Sequence, residues 1–131
     1  MAQDNVDVIE AAWDAFGRGD VEAAAGIADP SAEIAIPETL PWGGTYRGPD
    51  GFMEFIGKVR ENFEDFQAVP EKILGADDDH VIVIAKASGR TKSGSPFDGR
   101  AVWVYRLQGG KMTEAEFFGD TAKALEELGQ S

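Results

Sequence analysis

The spacing of the apolar residues changes once along this chain of 131 residues, close to Phe66. Before that point, apolar side chains recur every three or four residues, which is the spacing of an amphipathic helix. After it, apolar and β-branched runs are separated by short turn sequences, which is typical of strands. Helices followed by strands predict an α+β fold, with three N-terminal helices packed on one face of a mainly antiparallel sheet.

Three helices are predicted in the first half of the chain. Asp4 is the expected N-cap of the first helix, and its apolar face consists of Val6, Ile9, Trp13 and Phe16. Asp20 caps a second, alanine-rich helix over residues 21–27, which ends before Pro30. The third helix begins near Pro49, and its apolar face is largely aromatic: Phe52, Phe55, Ile56, Val59 and Phe63.

The segment between the second and third helices, residues 31–51, is rich in proline and glycine. It is predicted to form an irregular loop after a brief extended run from Glu33 to Ile36. Trp42 and Tyr46 fall within this loop. Two aromatic side chains in a mobile connection would suit a lid over a binding site.

Four strands are predicted after residue 65, with turn sequences between them: Phe66 to Gly75, Val81 to Thr91, Phe97 to Leu107 and Lys111 to Phe118. Such turns favour an antiparallel meander. A short C-terminal helix over residues 121–128 follows, with Asp120 as its N-cap. Residues 81–84 and 102–105 are apolar on both strand faces, which predicts a homodimer formed through the sheet.

The amino-acid composition limits the classes of molecule that this chain is expected to bind. The chain holds 12 Lys and Arg against 24 Asp and Glu, a net charge of −12, which argues against nucleic acid and anionic membrane surfaces. With no cysteine and one histidine, no cysteine- or histidine-based metal site is expected, and no cofactor is predicted. Neither a signal peptide nor a membrane span is recognisable, so residues 1–131 are expected to form a single cytoplasmic domain.

The order of elements resembles the SnoaL-like polyketide cyclase branch of the nuclear transport factor 2-like superfamily, which also includes ketosteroid isomerases. Three segments carry the resemblance: 41–51 (PWGGTYRGPDG), 109–112 (GGKM) and 118–121 (FGDT). The resemblance implies a cone-shaped sheet curved around the first helix, with a deep pocket between sheet and helices. It also implies that Asp120, at the end of the last strand, matches the aspartate that serves as acid and base in SnoaL-like cyclases.

Two carboxylates are candidates for catalysis. A carboxylate at the mouth of an apolar cone suits proton abstraction next to a carbonyl, because apolar surroundings raise the pKa of carboxylates. Asp120 is the first candidate, and a simple helix N-cap is the alternative reading of this residue. If strand alternation holds to the end of the last strand, Glu116 shares its face and is the second candidate, unless a bulge intervenes.

Aromatic residues are the predicted lining of the pocket, with core packing as the alternative for most of them. The candidates for substrate binding are Trp13, Phe16, Trp42, Tyr46, Phe52, Phe55, Trp103, Tyr105 and Phe118. The sequence therefore predicts a pocket for a small apolar ligand. The favoured function is a cofactor-independent isomerase or cyclase performing acid–base chemistry next to a carbonyl of a cyclic compound. The alternative is a non-catalytic ligand-binding or dimerisation module of the same fold.

Overall fold

The computed structural model describes residues 2–38, 42–92, 94 and 96–119. Within them, three helices and six strands follow one another: α1 (Ala2–Gly17), α2 (Val21–Ala25), β1 (Ala28–Ile36), β2 (Gly44–Arg47), α3 (Gly48–Asn62), β3 (Phe63–Gly75), β4 (His80–Thr91), β5 (Pro96–Gln108) and β6 (Lys111–Gly119). The predicted α+β class is confirmed. The predicted C-terminal helix, residues 121–128, lies outside the described residues.

The six strands form one curled sheet in the order β2-β1-β6-β5-β4-β3. Strands β3 to β6 make the antiparallel meander that their turn sequences predict. Strand β1 returns from the helical half of the chain and pairs in parallel with β6, with Ile34 opposite Ala115. This parallel pair joins the two halves of the chain in a single sheet.

Helix α2 is shorter than predicted, and strand β1 begins earlier in the chain than predicted. Helix α2 has five residues rather than seven, although Asp20 does cap it by accepting from the Ala23 amide at 3.1 Å. Strand β1 starts at Ala28 and runs through Pro30. The ladder with β6 is irregular between Ala28 and Glu33, so the missing N–H of Pro30 interrupts no regular pairing.

Helix α1 begins at Ala2, which places Asp4 inside the first turn instead of at the N-cap.

The segment before α3 is more ordered than a loop. Residues 44–47 form the edge strand β2, which pairs with β1 and sets Tyr46 opposite Ile34. Helix α3 follows at once from Gly48, whose φ is +66°. A Cβ on Gly48 would lie 2.8 Å from the Pro30 carbonyl oxygen, so only glycine permits this close approach of α3 to β1. The spacing of apolar residues predicted Phe63 as part of the third helix, but Phe63 is the first residue of β3.

The inner face of the sheet packs against α1 and α3. On β4 the inward side chains are Val81 and Val83 and then, further along, Ala85 and Ala87, all of them buried. The sheet therefore presents bulky side chains to the helices at one end and small ones at the other. None of the described helices is both long enough and apolar enough to cross a bilayer.

Candidate functional site

A cavity of about 130 Å³ lies between the helices and the inner face of the sheet. Its lining is almost wholly apolar, and it combines small residues with aromatic ones. Nine of the lining residues are alanines: Ala12, Ala24, Ala25, Ala28, Ala68, Ala85, Ala87, Ala101 and Ala115. Alanine side chains at buried positions leave space that larger side chains would fill in a close-packed interior.

The alanines of the sheet are among the site residues that the sequence analysis missed, together with Phe63, Phe66, Phe117 and several aliphatic side chains. Ala85 lies directly opposite Ala101 in the β4–β5 ladder, and both line the cavity. A signal for them exists in the sequence, because the same-face positions of β4 change from valine at 81 and 83 to alanine at 85 and 87. Strand alternation alone assigns all four to the core, and only the helices above them show that the second pair faces a cavity.

Aromatic rings form the walls, and Trp103 is at their centre. Its ring makes edge-to-face contacts with Phe55 at 5.8 Å and with Phe117 at 5.0 Å between centroids. It stacks on Tyr105 at 5.9 Å with 12° between the planes. Contacts of this kind contribute about 0.5–1.5 kcal/mol each beyond the area they bury. Helix α3 and strands β5 and β6 are thereby joined into one rigid wall.

Seven of the nine residues predicted to bind substrate line the cavity: Trp13, Phe16, Trp42, Phe52, Phe55, Trp103 and Tyr105. Tyr46 does not. Its hydroxyl donates to the Trp42 carbonyl oxygen at 2.6 Å, and its ring lies against Phe55 at 5.6 Å. Tyr46 thus positions two lining residues from behind the wall. Trp42 is 7% exposed and packs on the ring of Phe63, so its side chain belongs to the wall itself.

Glu116 and Phe118 face away from the cavity, which corrects the prediction made for both. In the β5–β6 ladder Arg106 pairs with Glu114 but the next residue, Leu107, pairs with Met112, so Thr113 is an extra residue. This bulge shifts the alternation, and Met112, Ala115 and Phe117 line the cavity. The exposed side chains of Glu114, Glu116 and Phe118 lie on the outer face. Asp120, the first candidate, lies outside the described residues.

The lining includes few polar groups. The side chain of Arg100 is 74% exposed, and its Nε lies 3.2 Å from Glu71 Oε1, so its charge is directed to solvent. Tyr105 is buried in the wall of the cavity, and Trp13 lines the same cavity. Burial raises the pKa of the Tyr105 phenol well above its ordinary value, and the nearby Trp13 side chain offsets this only in part. Tyr105 is therefore neutral at physiological pH.

In the β3–β4 turn, the Asp77 side chain makes hydrogen bonds to other residues of the same turn. The Asp77 carboxylate accepts from the amides of Asp79 and His80, each at 2.9 Å, and its Oδ1 lies 2.9 Å from Nδ1 of His80. These contacts lower the pKa of Asp77, the His80 side chain contributing most. Within the described part of the chain, no three acidic or histidine side chains are arranged to hold a metal ion.

Comparison with known proteins identifies relatives of the whole domain. The model of the SnoaL-like domain family matches residues 9–115. An uncharacterised protein of Mycobacterium tuberculosis is 25% identical over 120 residues, which cover 90% of this chain and 91% of that protein.

Solved structures share the fold at low sequence identity. The crystal structure of TerC co-crystallised with polyporic acid has a TM-score of 0.87 at 24% identity, over 96% of this chain and 98% of that one. A nuclear transport factor 2-like protein from Burkholderia thailandensis has a TM-score of 0.88 at 24% identity, over 95% and 96% of the two chains. The fold implied by the sequence resemblance is thereby confirmed.

The raised pKa of Tyr105 makes folding depend on alkaline pH. A tyrosine in the unfolded chain ionises near pH 10, whereas the buried phenol keeps its proton to higher pH. The folded state then binds more protons, so this contribution to stability is complete below about pH 10 and is lost as the pH rises above it. We expect the unfolding free energy of the wild type to fall more steeply than that of Tyr105→Phe, by up to about 1.4 kcal/mol per pH unit.

Urea denaturation of both proteins at pH 8, 10 and 11 measures this difference. All other titrating groups are common to the two chains, so the difference in slope isolates Tyr105. Equal slopes would mean that the phenol is not held neutral by its surroundings.

Proposed function

This chain belongs to the SnoaL-like domain family, and from that premise we propose that it is a small-molecule pocket protein whose ligand is an apolar ring compound. The observation that carries the proposal is the cavity of about 130 Å³ between alanines of the sheet and aromatic walls. An apolar cavity of about 150 Å³ in another protein admits benzene. One six-membered ring is thus a suitable size for this space.

The shape and chemistry of the walls support a ring as ligand. Trp103 and Phe55 present aromatic surfaces that are fixed by mutual ring contacts, and flat ligands pack on such surfaces with little loss of side-chain entropy. A protein of the same fold, TerC, was co-crystallised with polyporic acid. Ligand-binding and isomerase- or cyclase-type proteins share this fold, and the apolar cavity is what either class would require.

Filling the cavity tests the binding function. Ala85 is fully buried and lines the cavity, so we expect Ala85→Leu to weaken toluene binding at least tenfold by occupying the space of the ring. Ala35, an exposed alanine on β1, provides the matched control Ala35→Leu, which should bind as the wild type does. Toluene binding is followed by saturation-transfer NMR and by the fluorescence of the tryptophans in the wall. Equal binding by the two variants, or none by the wild type, would refute a ring-binding cavity.

A catalytic role for Asp120 is the second proposal. It is favoured by the position of the last described residue of β6: Gly119 pairs with Ala101, and Ala101 lines the cavity. In the proposed reaction the Asp120 carboxylate removes a proton from the carbon next to a ligand carbonyl. The electron pair of that C–H bond forms the enolate, and the new carboxylic acid returns a proton to close the isomerisation or cyclisation. No cofactor takes part.

Exchange of α-protons measures this chemistry without knowledge of the substrate. With cyclohexanone in D₂O, we expect the wild type to accelerate deuterium incorporation, and Asp120→Asn to reduce the acceleration by about 100-fold or more. The control is Glu116→Gln, which removes a carboxylate from the outer face and should exchange at the wild-type rate. No acceleration by the wild type, with toluene binding intact, would favour the non-catalytic alternative.

We also propose that two copies pair through the outer face of the sheet. Ile84, Val102 and Phe118 are neighbours in register there, and Phe118 is 49% exposed. Basic residues lie on the β3–β4 side of this apolar strip, at Lys72 and Lys86. Acidic residues lie on its β6 side, at Glu114 and Glu116. A two-fold axis along β5 would place the basic side of one protomer over the acidic side of its partner.

Light scattering at micromolar concentration distinguishes dimer from monomer. We expect Phe118→Lys to yield monomers, because the two-fold axis would bury two unpaired ammonium groups in an apolar interface. Met53→Lys is the matched control, since Met53 is 43% exposed on α3 and distant from the strip. A monomeric wild type, or dimers of unchanged stability in Phe118→Lys, would contradict pairing through this face.

A further inference from the structure

We propose that Phe66 is the specificity-determining residue of the cavity, and that its side chain limits the ligand to a single ring along the direction of the strands. This inference rests on the proposed binding function and adds the size class of the ligand. Compounds with one ring are admitted, and compounds with two fused rings are excluded. Phe66 lines the cavity from β3 and is half-buried.

The bulk of the inward side chains changes along the sheet from one row of paired residues to the next. Val83 is fully buried and fills the space under the helices in its row. In the next row Ala85 pairs with Ala101, and in the row after it Ala87 pairs with Ala68 of β3. All four alanines line the cavity. The two alanine rows span about 7 Å along the strands, which is close to the length of one six-membered ring.

Phe66 lies at the end of the alanine rows, on a bulge of β3. The next inward position of β4 is Gly89, which contributes no side chain to the inner face. Two residues of β3, Asp65 and Phe66, lie opposite Gly89, because the register of the β3–β4 ladder shifts between Glu64 and Gln67. A Cβ on Gly89 would lie 3.2 Å from both the Glu64 carbonyl oxygen and the Phe66 Cα. Glycine at position 89 therefore permits the close approach that brings Phe66 to the end of the cavity.

The bulge also determines which side chains of β3 face inward. Strand alternation from the buried Phe63 would direct Asp65 and Gln67 into the cavity. The extra residue reverses this alternation, so Phe66 and Ala68 line the cavity instead. Asp65 has a φ of +54°, a left-handed conformation that aspartate adopts more readily than most residues. The inward direction of Phe66 is thus set by the backbone.

Phe66 rests on a neighbour that has no room to move. Its ring centroid lies 5.6 Å from that of Phe63, and the Phe63 ring packs edge-on against Trp42 at 5.5 Å. Phe63 is 3% exposed, so it is enclosed on all sides. A second ring beyond the alanine rows would have to displace Phe66 from this contact, and overfilling a packed interior is unfavourable.

The other half-buried rings of the lining bound different parts of the cavity. Phe117 pairs with Trp103 in the β5–β6 ladder, so it belongs to the row of large side chains at the far end of the alanines. Trp13 and Phe16 lie on α1, and Phe52 lies on α3, which cover the inner face of the sheet from above. Removing one of these three rings would deepen the cavity toward the helices and would not lengthen it along the strands.

Two apolar probes test the size limit. Toluene has one ring, and naphthalene has two fused rings. We expect the wild type to bind naphthalene about tenfold more weakly than toluene, although naphthalene is the more hydrophobic of the two. Phe66→Ala should bind naphthalene about tenfold more tightly than the wild type does, while its toluene affinity changes less than about threefold. Titrations followed by saturation-transfer NMR measure both affinities. A variant that was merely destabilised would not gain affinity for the larger probe.

Two variants with the same substitution are the matched controls. Phe118→Ala removes a ring that is 49% exposed on the outer face, and it should leave both affinities at the wild-type values. Phe52→Ala removes another half-buried lining ring, from α3, and it should raise naphthalene affinity less than Phe66→Ala does. An equal or larger gain in Phe52→Ala would mean that the size limit is not set at the end of the alanine rows.

A second readout uses the wild-type protein alone. Toluene that occupies the alanine rows would lie against the Phe66 ring. We therefore expect intermolecular nuclear Overhauser effects between bound toluene and the ring protons of Phe66. This measurement keeps the inference testable even if Phe66→Ala does not fold.

The outcomes distinguish this inference from the function on which it rests. If the wild type binds naphthalene as tightly as toluene, or if Phe66→Ala gains no naphthalene affinity, the size-limiting role of Phe66 is refuted while ring binding stands. Bound toluene without contacts to Phe66 would refute it in the same way. If neither probe binds the wild type, the binding function fails and this inference fails with it. A gain for naphthalene in Phe66→Ala, with Phe118→Ala unchanged, supports the assignment.

Discussion

The inward side chains of the central strands become smaller along their length, and the cavity depends on that change. Val81 and Val83 fill the space under the helices at one end of β4, whereas Ala85 and Ala87 leave it open at the other. A stretch of small side chains normally lets neighbouring elements move closer. Here the sheet is hydrogen-bonded across six strands and α3 is anchored on β1 near Gly48, so the helices cannot follow the alanines inward.

The aromatic walls give this space defined surfaces. Trp103 joins Phe55 of α3 to Tyr105 of β5, and Trp13 of α1 lines the same cavity. Three elements that are distant in sequence therefore meet around one cavity. Since the lining is almost wholly apolar, binding energy there would come mainly from apolar contact.

The bulge at Thr113 places the charged and the cavity-lining side chains of β6 on opposite faces of the sheet. Without it, the glutamates of β6 would share a face with Met112 and enter the cavity, where unpaired charges are costly. With it, Glu114 and Glu116 lie on the outer face, beside the exposed Phe118. The inner face is left apolar, and the outer face carries charged side chains beside an apolar strip.

The sequence by itself determined the types and order of the main elements, because the spacing of apolar residues in α1, α3 and β3 to β6 is a local property. It also identified seven lining aromatics, since large apolar residues on inward faces meet in any fold of this class. Only the tertiary structure decided that Tyr46 lies in an edge strand, that Glu116 faces outward and that Ala85 borders open space. Strand pairing, a one-residue bulge and the height of the helices above the sheet arise from contacts between distant segments. The local spacing of apolar residues carries no information about such contacts.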